Sequence, residues 1–369
     1  MGNAHGIQAK IFVDLKGSNW KPCNTTGNST LTGSDEILFG SFPVAVPPAI
    51  KSHAFSVQRS QATKLNHIIN SQQFTLPVLR ELFVRVREME QIVKRGGTRD
   101  YDRKIMASLF YDSSSLTRLS FESAMSRLGG KVLTAENAAG FFSVSPDDAL
   151  EDTIRVVDYF CDVIVLRHNE IGGAERAAKV CTVPLINAGD GKGGQHPTQA
   201  LLDLYTIHKE TNKLDGLKVA LVGNLAEGRT VRSLSYLLSK FERVKLYFVS
   251  PESLRMKEDI LDHLAEHNTW YTVETDLHKV LPEIDVVYTT QIERERFNGS
   301  DTEFKKVREN YFIDKNSIEL MNKDSIILSP LPRFTEISRE IDNDHRAAYF
   351  RQTQDGMILR MALLAWVLE

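Results

Sequence analysis

Residues 104–137 read KIMASLFYDSSSLTRLSFESAMSRLGGKVLTAEN, and the order of elements in this stretch indicates the fold class. The apolar run KIMASLF is typical of a buried strand, and the polar DSSS after it marks the strand's end. LSFESAMSRLG has the periodicity of a helix and stops at Gly129 and Gly130, a common helix C-terminus. KVLTAEN then has the composition of a second strand. This order predicts parallel strands joined by a helix.

The same alternation continues on both sides of this stretch. FTLPVLRELFVRVREMEQIVK before it is an amphipathic helix by period, and the helix-like ALEDTIRVVDYF after it leads to the β-rich runs DVIVLRH and TVPLINAGD. A second series of β-rich runs comprises KVALVGN, VKLYFVS, DVVYTTQ and SIILSPLP, and MILRMALLAWVLE is an apolar helix. The two series predict an α/β protein with two doubly wound parallel-sheet domains and a cleft between them.

Length and composition exclude several classes of protein. A chain of 369 residues with 42% hydrophobic and 25% charged residues is typical of a globular protein of two domains. Its 45 basic and 48 acidic residues balance to −3, so we expect no nucleic-acid partner. No apolar run approaches the ~18 residues of a membrane span, so we expect no membrane partner. Cys23, Cys161 and Cys181 are too widely spaced for a metal cluster or a disulfide framework, which predicts a reducing, cytoplasmic setting.

Residues 1–62 differ in composition from the rest of the chain. They are rich in Gly, Asn, Ser, Thr and Pro, and they show no sustained periodicity, which predicts a poorly ordered N-terminal extension. The basic, acid-free stretch KSHAFSVQRSQATK is faintly like an organelle transit peptide, whereas Asp14, Asp35 and Glu36 upstream weaken that interpretation. Cytoplasmic location is therefore our prediction, and organelle targeting stays open.

Four polar segments follow predicted strands, where open α/β sheets bind their ligands. They are DSSSLTR (112–118), RHNE (167–170), GQHPTQ (194–199) and SPLPR (329–333). Ser114, Ser115 and Thr117 precede a helix, so they form either an anion site, to which Arg118 could add charge, or an ordinary helix cap. His196 and Gln199 could donate hydrogen bonds to a carbonyl oxygen, or they could simply begin a helix.

A nucleotide-hydrolysing protein is a further alternative. GNLAEGRT (223–230) follows the phosphate-loop pattern, but Arg229 stands where that pattern needs lysine. The first α/β series would also be left without a role, so we disfavour this alternative.

From about residue 65 onward the chain resembles the catalytic chains of the aspartate carbamoyltransferase family, the plant and cyanobacterial forms above all. The resemblance is carried by LTRLSFESAMSRLGG, Arg167–His168, INAGD before HPTQALLDLYTI, VALVG before GRTVRSL, DVVYTTQIERERF, and SPLPRFTEI before RAAYFRQ. It implies a carbamoyl-phosphate-type domain at 63–205 completed by 345–369, and an aspartate-type domain at 206–344. It also implies a homotrimer with shared active sites, and neither a metal nor an organic cofactor.

The resemblance implies a reaction and a role for individual residues. The amine of aspartate attacks the carbonyl of carbamoyl phosphate, and phosphate leaves. The implied contacts are Ser114, Ser115, Thr117 and Arg118 in the phosphate motif, Arg167 on the phosphate and carbonyl, His196 on the carbonyl oxygen, Gln199 on the carbamoyl amide, Arg229 on the α-carboxylate, and Leu331 with Pro332 beside the reacting amines.

Other positions depart from the family's pattern. Leu116 replaces the arginine of the phosphate motif, and Gln291 replaces the arginine that binds the aspartate side chain. In the loop that reaches the neighbouring subunit in this family, Phe142 and Pro146 replace serine and lysine. In the separate segment SPLPR, Ser329 replaces a histidine. Loss of one preorganised charged donor typically costs ~3–4 kcal/mol of transition-state stabilisation. The absence of these charged residues, beside the matching residues that remain, therefore predicts a degenerate anion-binding site.

Three functional hypotheses follow. The first is a diverged transferase that acts on an amino-acid-like small molecule, with carbamoyl phosphate or another acyl donor. The second is a catalytically inactive member that binds a metabolite or regulates an active paralogue. The third is weak aspartate carbamoyltransferase activity. We expect a homotrimer, with a paralogue as an alternative partner.

Overall fold

The computed structural model describes residues 65–112, 114–136, 150–294, 297 and 300–369. These residues belong to one compact unit, Gln61–Glu369. The predicted extension 1–62 and the loop positions Phe142 and Pro146 lie outside the described residues.

Two parallel sheets confirm the predicted α/β class. The first has four strands in the order β2-β1-β3-β4, and the second has five in the order β7-β6-β5-β8-β9. The strands of the first sheet are β1 (Ile105–Phe110), β2 (Lys131–Glu136), β3 (Val163–Arg167) and β4 (Leu185–Asn187). Those of the second are β5 (Lys218–Val222), β6 (Lys245–Val249), β7 (Trp270–Glu274), β8 (Val286–Thr289) and β9 (Ile326–Leu328).

Helices lie between successive strands and before and after the sheets. They are α1 (Leu76–Lys94), α2 (Ser115–Arg127), α3 (Leu150–Asp158), α4 (Gly173–Ala178), α5 (Pro197–Thr211), α6 (Arg229–Leu238), α7 (Glu258–Glu266), α8 (Leu277–Val280), α9 (Asp301–Asn310), α10 (Lys315–Leu320) and α11 (Tyr349–Leu368). None of those in the described part of the chain combines the length and apolarity that a bilayer-spanning helix needs.

The core joins the two sheets through the helices between them. α11 packs on α1, α2 and α5, and α5 packs on α6. A cluster of buried side chains runs from Phe110 and Met125 through Leu201 and Leu363 to Leu221. Burial on this scale contributes about 25 cal/mol for each Å² of apolar surface removed from water. The packing of α11 therefore fixes where the ends of both sheets lie.

Two elements differ from the sequence-based expectations. β7 was not predicted: it is an edge strand whose residues are half-buried or exposed, so its sequence WYTVE lacks a continuous apolar run. α11 begins at Tyr349, ahead of the predicted apolar segment MILRMALLAWVLE. The prediction began too late because the first turns of the helix carry polar residues, which give no apolar run. The domain boundaries 63–205, 206–344 and 345–369 stay predictions.

Candidate active site

A cavity of about 590 Å³ lies at the carboxyl ends of strands from both sheets. It is bounded by the segments that follow β1, β3 and β4 on one side and β5, β8 and β9 on the other. In each sheet the strand order changes direction next to this cavity. The change lies between β1 and β3 in the first sheet and between β5 and β8 in the second. Crevices at such reversals are where open α/β sheets bind ligands.

Most of the residues proposed from the sequence line this cavity. They are Ser114, Ser115, Leu116, Thr117, Arg167, His196, Gln199, Arg229, Gln291, Ser329, Leu331 and Pro332. Arg118 is the exception, since it does not line the cavity. Its guanidinium lies 3.3 Å from the Thr134 hydroxyl and 3.8 Å from the Glu122 carboxylate. The tertiary structure therefore brings together segments that are far apart in sequence, and it leaves the phosphate motif without its Arg118 charge in the cavity.

The residues of the first turn of α2 that line the cavity are Ser115, Leu116 and Thr117, and these carry no charge. Ser114 precedes the helix; its hydroxyl donates to Thr117 Oγ1 at 3.0 Å and accepts no capping hydrogen bond from a backbone N–H. Leu116 lies in the first turn, and 47% of it is exposed. Backbone N–H groups at a helix start attract anions, but an apolar side chain adds no charge-assisted hydrogen bond. α2 therefore contributes hydroxyl groups and backbone N–H groups to the cavity rather than a charged side chain.

One carboxylate contacts both arginines of the cavity. Asp112 Oδ2 lies 3.0 Å from Arg167 Nη2 and 3.4 Å from Arg229 Nη2, and a second Arg229 nitrogen donates to the Asp190 carbonyl. Burial, and then the charge of Arg229, lower the pKa of Arg167 to about 10, so Arg167 remains a cation at neutral pH. Asp112 therefore offsets part of the positive charge that these two side chains offer to an anionic ligand.

His196 is buried beside Arg167, and a glycine makes room for both. A Cβ on Gly189, whose φ is +124°, would lie 2.9 Å from Arg167 Nη1 and 3.3 Å from His196 Cδ2. The His196 backbone N–H donates to Ser233 Oγ at 2.8 Å, which ties the start of α5 to α6. Burial, followed by the charges of Arg167 and Arg229, holds the pKa of His196 well below its usual value. His196 is therefore a neutral imidazole that can donate one hydrogen bond.

A buried carboxylate orients Gln199. Gln199 Nε2 donates to Asp203 Oδ1 at 2.9 Å, and Gln352 Nε2 donates to the same oxygen at 2.6 Å. Gln352 in turn accepts from the Ser329 backbone N–H at 3.0 Å. One N–H of the Gln199 amide is engaged with Asp203, so its amide oxygen can accept from a ligand and its second N–H can donate to one. Burial raises the pKa of Asp203 to about 7.

The charges around the cavity are nearly balanced. Among the described residues, the lining holds the four carboxylates Asp112, Glu227, Glu293 and Glu336 and the three cations Arg167, Lys192 and Arg229. Lys192 Nζ lies 3.9 Å from Glu293 Oε2. A substrate pair that carries several negative charges would meet little net positive potential here.

Two other arginines are near this region of the chain but do not line the cavity. Arg294 lies 2.7 Å from Asp301 and is not among the lining residues. Arg360 lies behind Leu116, in a small adjoining cavity of about 50 Å³, where its guanidinium donates to Ser120 Oγ at 2.6 Å. Burial lowers the pKa of Arg360 to about 10. Arg360 therefore lies next to the cavity and lines the same small space as Leu116, whereas Arg294 is paired with Asp301.

Sequence reasoning missed several of these residues. Asp112 was visible in the segment DSSSLTR but had no role until the structure placed it between two arginines. Asp203 could have been found, because residues four apart on a helix share a face and Asp203 is four residues after Gln199. Arg360 gave no signal, since it sits within an apolar helical run.

Comparisons with known proteins agree with this geometry. The family model "Aspartate/ornithine carbamoyltransferase, carbamoyl-P binding domain" matches residues 66–209, and the "Asp/Orn binding domain" model matches residues 215–367. The chloroplastic aspartate carbamoyltransferase of Arabidopsis thaliana is 49% identical over 322 residues, which cover 86% of this chain and 82% of that protein. The catalytic subunit of Methanopyrus kandleri aspartate carbamoyltransferase is 45% identical over 304 residues, covering 82% of this chain and 96% of the subunit.

Solved structures show the same similarity. The catalytic subunit of the M. jannaschii aspartate transcarbamoylase superposes with a TM-score of 0.76 at 43% identity, covering 81% of this chain and 96% of that one. Aspartate transcarbamoylase from Trypanosoma cruzi, in complex with N-(phosphonacetyl)-L-aspartic acid, gives a TM-score of 0.77 at 37% identity and covers 82% and 96%.

Proposed function

Because this chain belongs to the aspartate/ornithine carbamoyltransferase family, we propose that it is a diverged transferase that moves a carbamoyl or similar acyl group onto the amine of an amino-acid-like substrate. The observation that carries this proposal is Leu116, an exposed apolar side chain at the helix start where the family's phosphate-binding arginine is expected. Groups that polarise a carbonyl remain in the same cavity, whereas the group that would hold a phosphate is absent from this position.

The remaining side chains suit attack on an acyl carbonyl. Arg167 and the neutral His196 donate hydrogen bonds to the carbonyl oxygen, which gains negative charge as the amine attacks. The Gln199 amide oxygen accepts an N–H of the carbamoyl group and so fixes its orientation. A C–N bond forms and the bond between the carbonyl carbon and the leaving group breaks. The leaving group takes the bonding electron pair and accepts the proton that the amine loses, while these residues supply binding and polarisation.

The acceptor end favours a substrate with one carboxylate. Arg229 is placed to bind an α-carboxylate in competition with Asp112. Gln291 offers an amide where the family pattern has an arginine, and Phe334 and Leu331 add apolar surface nearby. An amide pairs with neutral polar groups better than with a second carboxylate. We therefore propose an amino acid whose side chain is neutral.

The first experiment measures products of the full chain. Carbamoyl phosphate and aspartate are supplied, and carbamoyl aspartate is measured beside the Arabidopsis thaliana relative. We expect turnover at least ~10³-fold lower than that of the relative, since several charged donors are missing. Amino acids with neutral side chains are then tested as acceptors with the same donor. Turnover with aspartate within tenfold of the relative would contradict the proposed divergence.

Reversion variants test the reason for that difference. Leu116→Arg combined with Pro146→Lys and Gln291→Arg restores the family's residues, and we expect it to raise carbamoyl-aspartate formation at least about tenfold. Leu119→Arg is the matched control for Leu116→Arg alone, because both variants add one positive charge to an exposed position of the same helix and Leu119 is outside the cavity lining. An equal gain in the control would show that general charge, rather than the site, is responsible.

A non-catalytic role is the second candidate, and the pairing of cavity cations with carboxylates is the observation that favours it. In that case no acceptor yields product, while a metabolite still raises the melting temperature of the protein. Co-purification with an active homologue would then identify the regulated partner. Carbamoyl or acyl transfer to any amino acid would contradict this candidate.

The assembly and the compartment are part of the proposal. We propose a homotrimer, which light scattering on the purified full chain tests directly, and a mixed assembly with a paralogue is the alternative outcome. Composition favours the cytoplasm, whereas the Arabidopsis thaliana relative is chloroplastic. A fluorescent fusion to the C-terminus of the full chain distinguishes the two locations.

A further inference from the structure

Away from the cavity, the last turn of α7 groups two histidines and a glutamate. The sequence HLAEH places His263, Glu266 and His267 on one face of the helix, because residues three and four apart are neighbours. We propose that these three side chains form a binding site for a divalent transition metal ion of the zinc class. The three cysteines gave no indication of this site, which is built from imidazole and carboxylate groups.

The three side chains are already close to a coordinating arrangement. One ligand atom of each lies within 4.8 Å of the others, and the two imidazole rings are 4.0 Å apart between centroids. Ligands of a tetrahedral zinc ion with bonds of ~2.1 Å lie about 3.4 Å from each other. Glu266 is exposed, so rotation of its side chain can bring the carboxylate nearer to the two rings without moving the helix.

The tautomer of His267 is fixed by its own helix. His267 Nδ1 lies 2.8 Å from the His263 carbonyl oxygen. A carbonyl can only accept, so Nδ1 carries the proton and donates. The lone pair of His267 is therefore on Nε2, the outer nitrogen of an exposed ring, where a metal ion can reach it.

The tautomer of His263 follows from its contact with the Ser239 hydroxyl. Ser239 Oγ donates its only hydrogen to the Tyr236 carbonyl at 3.0 Å, and it also lies 3.1 Å from His263 Nε2. Ser239 must then accept from His263 Nε2–H, which leaves the lone pair on His263 Nδ1. The ring also packs edge-on against Tyr236, with centroids 4.6 Å apart. Outer hydrogen bonds of this kind orient histidine ligands in metal sites.

The charge around the cluster is compatible with a bound cation. Glu266 supplies the negative charge that offsets Lys240. Two imidazoles and one carboxylate suit Zn²⁺, Ni²⁺ or Cu²⁺ and leave positions for water. Since all ligands belong to one helical turn, the ion would hold the end of α7 in place.

Zinc titration of the metal-free full chain tests the site. We expect one Zn²⁺ per chain by calorimetry, and a visible absorption band when Co²⁺ is used instead. His267→Ala and Glu266→Gln change exposed side chains and should weaken binding at least about tenfold, and Ser239→Ala should weaken it by a similar factor by freeing the His263 ring. His278→Ala, another exposed histidine beside an aspartate, is the matched control and should leave the affinity unchanged.

Three results would overturn the proposal. One is the lack of saturable Zn²⁺ binding by the folded chain, another is binding that the three variants leave unchanged, and the third is a loss as large in His278→Ala. Nitrogen-15 NMR of the metal-free protein provides a separate check, because it should show the proton on Nε2 of His263 and on Nδ1 of His267. Transferase activity plays no part in these readouts, so the outcome does not depend on the proposed function.

Discussion

Asp112 Oδ2 lies 3.0 Å from Arg167 Nη2, and the Arg167 side chain is only 7% exposed. A partly exposed acid thus neutralises the most buried cation of the cavity and also reaches Arg229. Buried ion pairs hold their charges in place but leave less potential for a ligand. This relationship makes anion binding by the cavity depend on displacing a carboxylate that belongs to the chain itself.

Removing that carboxylate should strengthen anion binding. In Asp112→Asn we expect inorganic phosphate to bind about tenfold more tightly, with the gain shrinking as salt is added. Stability should fall by ~1–2 kcal/mol, because Arg167 loses a charged partner that is itself 42% exposed. Calorimetry with phosphate measures the first effect and urea unfolding the second. Asp152→Asn, which alters an exposed pair with Arg155, is the control and should change neither. Weaker phosphate binding in Asp112→Asn would refute this account.

Asp203 should make stability depend on pH in one direction. Its carboxyl titrates near pH 4 in the unfolded chain and at about 7 in the folded protein. The proton is bound more tightly by the folded state, so this stabilising contribution is complete below pH 4 and is lost as the pH rises to 7. The wild type should therefore lose up to about 4 kcal/mol across this range relative to Asp203→Asn. Urea unfolding of both proteins from pH 4.5 to 7.5 measures the difference, and a constant difference would contradict the assignment.

His196 should act in the opposite direction. Its folded-state pKa lies well below 6.5, so the unfolded chain takes up a proton first as the pH falls. The stability that His196 contributes is complete above pH 6.5 and is lost on acidification. Nitrogen-15 NMR should show a neutral His196 ring at pH 6, and His196→Gln should lose less stability than the wild type between pH 7 and 5. An imidazolium signal from His196 at pH 6 would rule out its role as a neutral donor.

Gly223 should tolerate no side chain. It follows β5 at the edge where the cavity opens, its φ is +108°, and a Cβ there would lie 2.1 Å from the Thr290 carbonyl oxygen. Gly223→Ala should cost ~3 kcal/mol or more and shift Gln291, the neighbour of Thr290. Gly216→Ala is the control, since Gly216 has a φ of +69° with open space around it and should cost only ~1–2 kcal/mol. Equal losses of unfolding free energy in the two variants would show that the contact with Thr290 is unimportant.

The sequence predicted most strands of the two sheets and most of the residues that line the cavity. Strands buried on both faces are continuous apolar runs, so β1, β3, β5 and β8 were visible, and the polar residues after them lie at one edge. β7 was missed because an edge strand needs no such run. The polar segments also located Arg167, His196, Gln199 and Arg229, although not what each of them contacts.

Local pattern and residue order determined the α/β class and the family resemblance, because helix period, strand composition and motif spacing are properties of neighbouring residues. The loss of a family arginine at Leu116 stays a prediction. Tertiary packing settled the charge state of the cavity. Asp112 pairs with Arg167 across 55 positions of sequence and with Arg229 across 117, and Arg360 is held behind Leu116 by its contact with Ser120. Burial and charge pairing depend on distances between remote segments, and these distances exist only once α11 and the two sheets have packed.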